Sequence, residues 1–172
     1  MAELLLVTAI LLLVTALAAT SLPVIRNVYY QAIDTANAHA LLDNTCIALR
    51  NELYLASDVK EEGEDNKAIT FIDPTTGYRS KIYLSDENKI YLDEYTDATD
   101  LAEGVTKPGA QITPAETGTD KDMWVEYGTI EFDNAKGMFT VTDLTVKKVR
   151  NGQTQTLATQ DSLVIRTIHP AG

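Results

Sequence analysis

Residues 3–26 read ELLLVTAILLLVTALAATSLPVIR, and how this stretch is interpreted decides the fold class. Between Leu4 and Ile25 there are 22 residues without one charged side chain. As a helix rising about 1.5 Å per residue, they extend roughly 33 Å, the thickness of a bilayer's hydrocarbon core. The run is closed by Glu3 on one side and Arg26 on the other.

Three readings fit such a run. A secretory signal peptide would use Ala16-Leu17-Ala18 as its cleavage site, but Met1-Ala2-Glu3 puts an acid where a basic n-region belongs. A plain transmembrane anchor fits in length, with Arg26 as a weak orientation signal. In the third reading Glu3 is the key residue. A carboxylate bordering an apolar run is costly in lipid and calls for a partner. The helix dipole is one, and a positive charge on a neighbouring chain is a better one.

After Pro23, which is expected to kink or locally break the helix, the helical pattern resumes and runs to about Ala56. Val28, Ala32, His39, Leu42, Cys46, Leu49 and Leu53 recur at three- and four-residue steps and define one face. Tyr29, Ile33, Ala36, Ala40 and Ile47 define an adjoining one. Cys46 and His39 read as packing or edge residues rather than ligands. The charged stretch from Lys60 to Lys67 reads as a linker.

From Ala68 onward the period changes to two. Strands are expected at 69–72, 78–84, 89–95, 123–132, 137–149 and 162–168. Asp73-Pro74-Thr75-Thr76-Gly77, Ser85-Asp86-Glu87-Asn88 and Asn151-Gly152 supply the turns. Residues 97–122, with Pro108 and Pro114, read as one long loop. The expected fold is α+β: a long N-terminal helix, apolar in its first half and amphipathic in its second, packed on a C-terminal antiparallel sheet. The expected division is 1–25 for the apolar half-helix, 26–57 for the amphipathic half-helix and 58–172 for the sheet head.

Charge narrows the function. The 172-residue chain carries 14 bases against 25 acids, a net −11. From Asp58 to Asp133 there are nineteen acids and seven bases. Such a surface repels phosphate, which argues against nucleic acid as the main partner. With Cys46 the only cysteine, no internal disulfide or multi-cysteine metal centre can form. Nucleophile-elbow, zinc-protease, phosphate-loop and dinucleotide motifs are missing, so no catalytic, metal or cofactor residues are assigned and no enzyme is expected. Asp93, Glu94, Asp97 and Asp100 lack the spacing of a calcium loop and read as a solvated acidic segment. Tyr83, Tyr91, Tyr95 and Trp124 are the residues a membrane-anchored or secreted binding module would use as a ligand face, although alternation makes most of them sheet-packing residues.

The opening Met1-Ala2-Glu3-Leu4-Leu5-Leu6-Val7 resembles the start of type IV pilins and pseudopilins after leader removal. Residues 35–42 and 48–53 resemble the later helix of pilin-like proteins from Gram-positive bacteria. The resemblance covers about the first third of the chain. In that family an early Glu usually lies four residues beyond the leader cleavage point. Glu3 lies two beyond Met1, so either the leader and two mature residues precede this sequence or the Glu is displaced. Pro23 also lies a few residues further from the Glu than the usual helix-bending proline.

The resemblance implies a structural subunit of an extracellular helical filament. It further implies a membrane-held pool, a prepilin peptidase and pilus assembly machinery as partners, and the chain itself as the principal partner in a homopolymer. Glu3 would be the assembly residue, neutralising the N-terminal amine of an adjacent subunit, and Pro23 the helix kink. The implied location is the cell surface, preceded by the inner or cytoplasmic membrane.

Overall fold

The computed structural model describes residues 2–62, 65–86, 88–95, 105–112, 123–150 and 152–168. The chain divides into two compact units, 1–36 and 37–172. A single helix, α1, runs Ala2–Tyr54. Nine strands follow: β1 Ser57–Glu62, β2 Ala68–Ile72, β3 Arg79–Leu84, β4 Ile90–Tyr95, β5 Val105–Gln111, β6 Met123–Glu126, β7 Ile130–Asp133, β8 Met138–Arg150 and β9 Gln153–Arg166. The α+β class read from the sequence is the one observed, with the sheet residues divided between two sheets.

The first sheet is an antiparallel meander in the order β1-β2-β3-β4-β5. Its β3–β4 hairpin places Tyr83 opposite Tyr91 and Lys81 opposite Asp93. Two of its strands correct the sequence reading. The Lys60–Lys67 linker begins as strand, with Lys60 opposite Thr70 and Glu62 opposite Ala68. Its charges hid the alternation, yet charge is well tolerated on an edge strand, where it discourages pairing with other chains. The expected 97–122 loop contains β5, which pairs with β4 despite Pro108; proline is accepted on an edge, where no ladder donor is needed. The rest of that loop lies outside the described residues.

In the second sheet β9 pairs with β8 along its length, while β6 and β7 lie end to end on the other side. The stretch expected as one strand, 123–132, is interrupted at Tyr127-Gly128-Thr129. There Gly128 packs so closely that an added Cβ would lie 3.0 Å from the Asp143 carboxylate and 3.2 Å from Thr142 Oγ1. Asp143 has φ of 52°. Across this point the buried positions of β8 switch parity, from Phe139 and Val141 to Leu144 and Val146. The turn after β8 has Gly152 at φ 75°, a conformation that glycine adopts without the penalty of a Cβ.

Within the second unit, Ala38, Leu42, Leu49 and Leu53 of α1 enter one apolar cluster with both sheets, including Ile69, Phe71, Ile82, Val125, Ile130, Phe139 and Val146. The buried helical face includes Ala38 and Thr45, whereas His39 is exposed and Cys46 only partly buried. Thr45 is admitted because its hydroxyl donates to the Leu41 carbonyl at 2.8 Å, which removes the cost of an unpaired buried polar group. Val28 and Tyr29, assigned by periodicity to packed faces, are exposed within the first unit.

Helix ends leave carbonyls unpaired, and no basic side chain occupies the last turn of α1. The end of the chain supplies the donors: Ile168 N–H reaches Tyr54 O at 3.1 Å, and Thr167 Oγ1 reaches Ala56 O at 2.9 Å. Hydrogen bonds tie β1 and the turn that follows it to the second sheet, among them Ile130 N–H to Asn66 O at 2.8 Å, Phe132 N–H to Glu61 Oε1 at 2.7 Å, Tyr127 OH to Lys67 O at 2.8 Å and Asn66 Nδ2 to Glu131 Oε1 at 3.5 Å. The bonds to Glu61 Oε1 and Asn66 O also occupy main-chain donors on β7.

Candidate assembly surface

The first unit contains the residues singled out by the resemblance. Glu3 lies in the first turn of α1, where the helix N-terminus favours a carboxylate. The large apolar side chains from Leu4 to Ile25 are 57 to 71% exposed, and they point all round the helix. An isolated helix with no polar face has no stable place in water. Among the described residues this is the one helix long and apolar enough to cross a membrane.

The polar atoms of this segment fit a dry setting. Its only polar side chains are Thr8, Thr15, Thr20 and Ser21. Each hydroxyl donates back to a carbonyl of its own helix: Thr8 to Leu5 at 2.9 Å, Thr15 to Leu11 and Leu12 at 2.9 Å, Thr20 to Leu17 at 3.0 Å and Ser21 to Ala18 at 3.2 Å. No hydroxyl needs water, so the segment is compatible with hydrocarbon or a helix bundle, although Thr35 beyond the apolar run donates to Gln31 O in the same way at 2.9 Å. The sequence carries this signal as Thr and Ser three and four residues beyond apolar positions, and periodicity alone did not reveal it.

α1 continues through Pro23 as helix. Proline has no N–H, so the Ala19 carbonyl loses its usual donor. Beside it lies a hollow of 650 Å³ lined by Ala19, Leu22, Pro23, Arg26, Asn27 and Tyr30. The Arg26 guanidinium donates to Tyr30 Oη at 3.3 Å and lies 5.3 Å from that ring's centre. The four-residue spacing of these two is the geometry for side chains meeting on a helix surface, but the contact was not read from the sequence.

The second unit offers weaker candidates. Tyr83 and Tyr91 stack with centroids 6.1 Å apart, and Tyr83 Oη approaches Asp93 at 3.4 Å. Burial, then the nearby Asp93 carboxylate, pushes the Tyr83 phenol up. Tyr95 is buried and Trp124 belongs to the other sheet, so the four aromatic residues do not form one face. Glu61 and Glu62 are engaged rather than simply solvated, Glu62 through Lys81 at 2.7 Å. Asp97, Asp100 and Glu64 lie outside the described residues. Asp93 and Glu94 are successive positions on β4, so they point to opposite sides of the sheet. Burial, then Asp43, raises the Cys46 thiol, which makes it a poor nucleophile.

No family model matches this chain, no curated protein matches it, and no solved structure matches it.

Proposed function

We propose that this protein is the structural subunit of an extracellular, pilus-like helical filament. The carrying observation is the segment Leu4–Ile25, apolar on every side, exposed, and with all of its hydroxyls paired internally. Such a segment rests in lipid while the subunit waits and among identical segments once it is assembled. The acidic sheet head stays in water. A head-to-tail contact that does not close generates a helical polymer, and Glu3, at the border of the apolar run, is the residue whose charge a neighbour must neutralise.

Electron microscopy of material sheared from cells, with labelling for this chain, tests the reading. Filaments containing the chain are expected. Dispersed single molecules, or a chain trimmed after Ala18, would refute it and favour an anchored or secreted binding module. Glu3→Leu is expected to leave the membrane pool intact while lowering filament yield at least several-fold. Abundant, ordered filaments from that variant would remove Glu3 from the assembly step.

A further inference from the structure

We infer that Glu3 of one subunit pairs with Arg26 of a second copy whose helix is displaced along the filament by about 34 Å, 23 residues at about 1.5 Å each. This rests on the filament reading. The argument begins with scarcity: after Glu3 there is no charge until Arg26, and the next cationic side chain is Arg50. A carboxylate packed among neighbouring apolar helices therefore meets no cationic side chain until it reaches the level of Arg26.

The surroundings of Arg26 suit that occupant. Tyr30 engages one guanidinium donor and steadies the group from the side. A guanidinium carries five donors and binds carboxylates in a two-pronged fashion, so donors remain for a visiting Glu. Next to it, the small side chains of Ala19 and Pro23 help to form the 650 Å³ hollow. At this offset Glu3 of the second copy lies level with Arg26, and its Leu4 lies level with Asn27 on the same side of the hollow.

The spacing also explains why the contact propagates. At 100° per residue, 23 residues place Glu3 and Arg26 about 140° apart around the helix. Two parallel helices offset by 23 residues cannot exchange both pairs, because one displacement is forward and the other backward. Each helix gives Glu3 to one neighbour and Arg26 to another, which is the open, heterologous arrangement of a filament. A Glu3 bound to a neighbour's N-terminal amine requires an offset of only a few residues, so the two pairings differ clearly in a density map.

The test uses the full chain expressed in its filament-forming cells, with membrane levels of each variant measured by immunoblot. Arg26→Glu is expected to lower filament yield at least tenfold at unchanged membrane level, and Arg26→Lys to keep most of it. The exchange Glu3→Arg with Arg26→Glu is expected to restore filaments. Arg26→Glu filaments equal to wild type in amount and order would overturn the pairing. If the exchanged chain fails to accumulate, a reconstruction of wild-type filaments decides. Contacting helices offset by about 34 Å with Glu3 beside Arg26 support the pairing, whereas Glu3 on an amine, or Arg26 facing solvent or lipid phosphate, overturns it. Wild-type cells without any filaments would instead refute the filament reading, and the pairing with it.

Discussion

Leu49 and Ile47 lie two residues apart on α1, yet the structure assigns them opposite roles. Leu49 is 0% exposed in the cluster that joins the helix to both sheets, while Ile47 is 54% exposed. Leu49→Ala removes three buried carbons, worth about 0.8 kcal/mol each or roughly 2.4 kcal/mol in transfer energy. The hollow left between rigid strands adds to this, so the expected loss is about 3 to 4 kcal/mol. Ile47→Ala removes similar carbons from a site already half in water and leaves no closed cavity. Alanine's better helix propensity offsets part of the remainder, and the net change should stay below about 1 kcal/mol. The assay is urea unfolding of the full chain in mild detergent, followed by the fluorescence of Trp124, the single tryptophan, which lies on β6. Equal losses for the two variants, or a larger loss for Ile47→Ala, would refute the assignment of the inner face.

Tyr127→Phe should cost about 1 to 2 kcal/mol in the same assay, because it leaves the Lys67 carbonyl without the phenol that donates to it at 2.8 Å; a neutral result would mean that this seam between the sheets contributes nothing. Glu52 has its carboxyl pushed up, first by burial and then by Asp73 and Glu94. The folded chain thus holds this proton more tightly than the unfolded one. The resulting penalty is absent at low pH and develops as pH rises through the raised folded value. Glu52→Gln is therefore expected to be more stable than wild type near pH 7, by less than about 1 kcal/mol for this half-exposed group, with the gap closing near pH 4. A gap that widens on acidification would contradict the sign.

The parts of the fold that were legible in the sequence are those where apolar and polar residues recur with the period of the element. Ile69, Phe71, Ile82 and Ile90 alternate with polar neighbours and mark β2, β3 and β4; Leu42, Leu49 and Leu53 mark the helix. Legibility failed where that recurrence was missing or did not fix the face. The first half of β9, Gln153 to Thr156, is exposed on both faces, so it shows no apolar alternation, and only the hairpin with β8 makes it strand. β5 contains Lys107-Pro108-Gly109 and reads as loop because an edge position, not composition, permits it. His39 and Ala38 differ by one residue, or 100° of helix, which periodicity without a partner surface cannot resolve. For the candidate site, the residue types Glu3 and Pro23 were visible. The internal pairing of Thr8, Thr15, Thr20 and Ser21 and the Arg26–Tyr30 contact depend on rotamers that a sequence does not state.

The burial problem of α1 is solved twice by different means. In the second unit the sheets cover Ala38, Leu42, Leu49 and Leu53, so those residues are satisfied within one chain. From Leu4 to Ile25 nothing in the first unit covers the apolar side chains, and on the filament reading only lipid or other copies do so. These two solutions should be separable by mutation. Changes at Leu49 act on unfolding within one molecule, whereas changes at Glu3 or Arg26 act on the number of molecules joined. The charge distribution favours the same division. The nineteen acids against seven bases between Asp58 and Asp133 oppose contact between heads, most strongly at low ionic strength. On the filament reading, association is thereby directed to the apolar segment, whose two bordering charges, Glu3 and Arg26, are opposite in sign and would set the register.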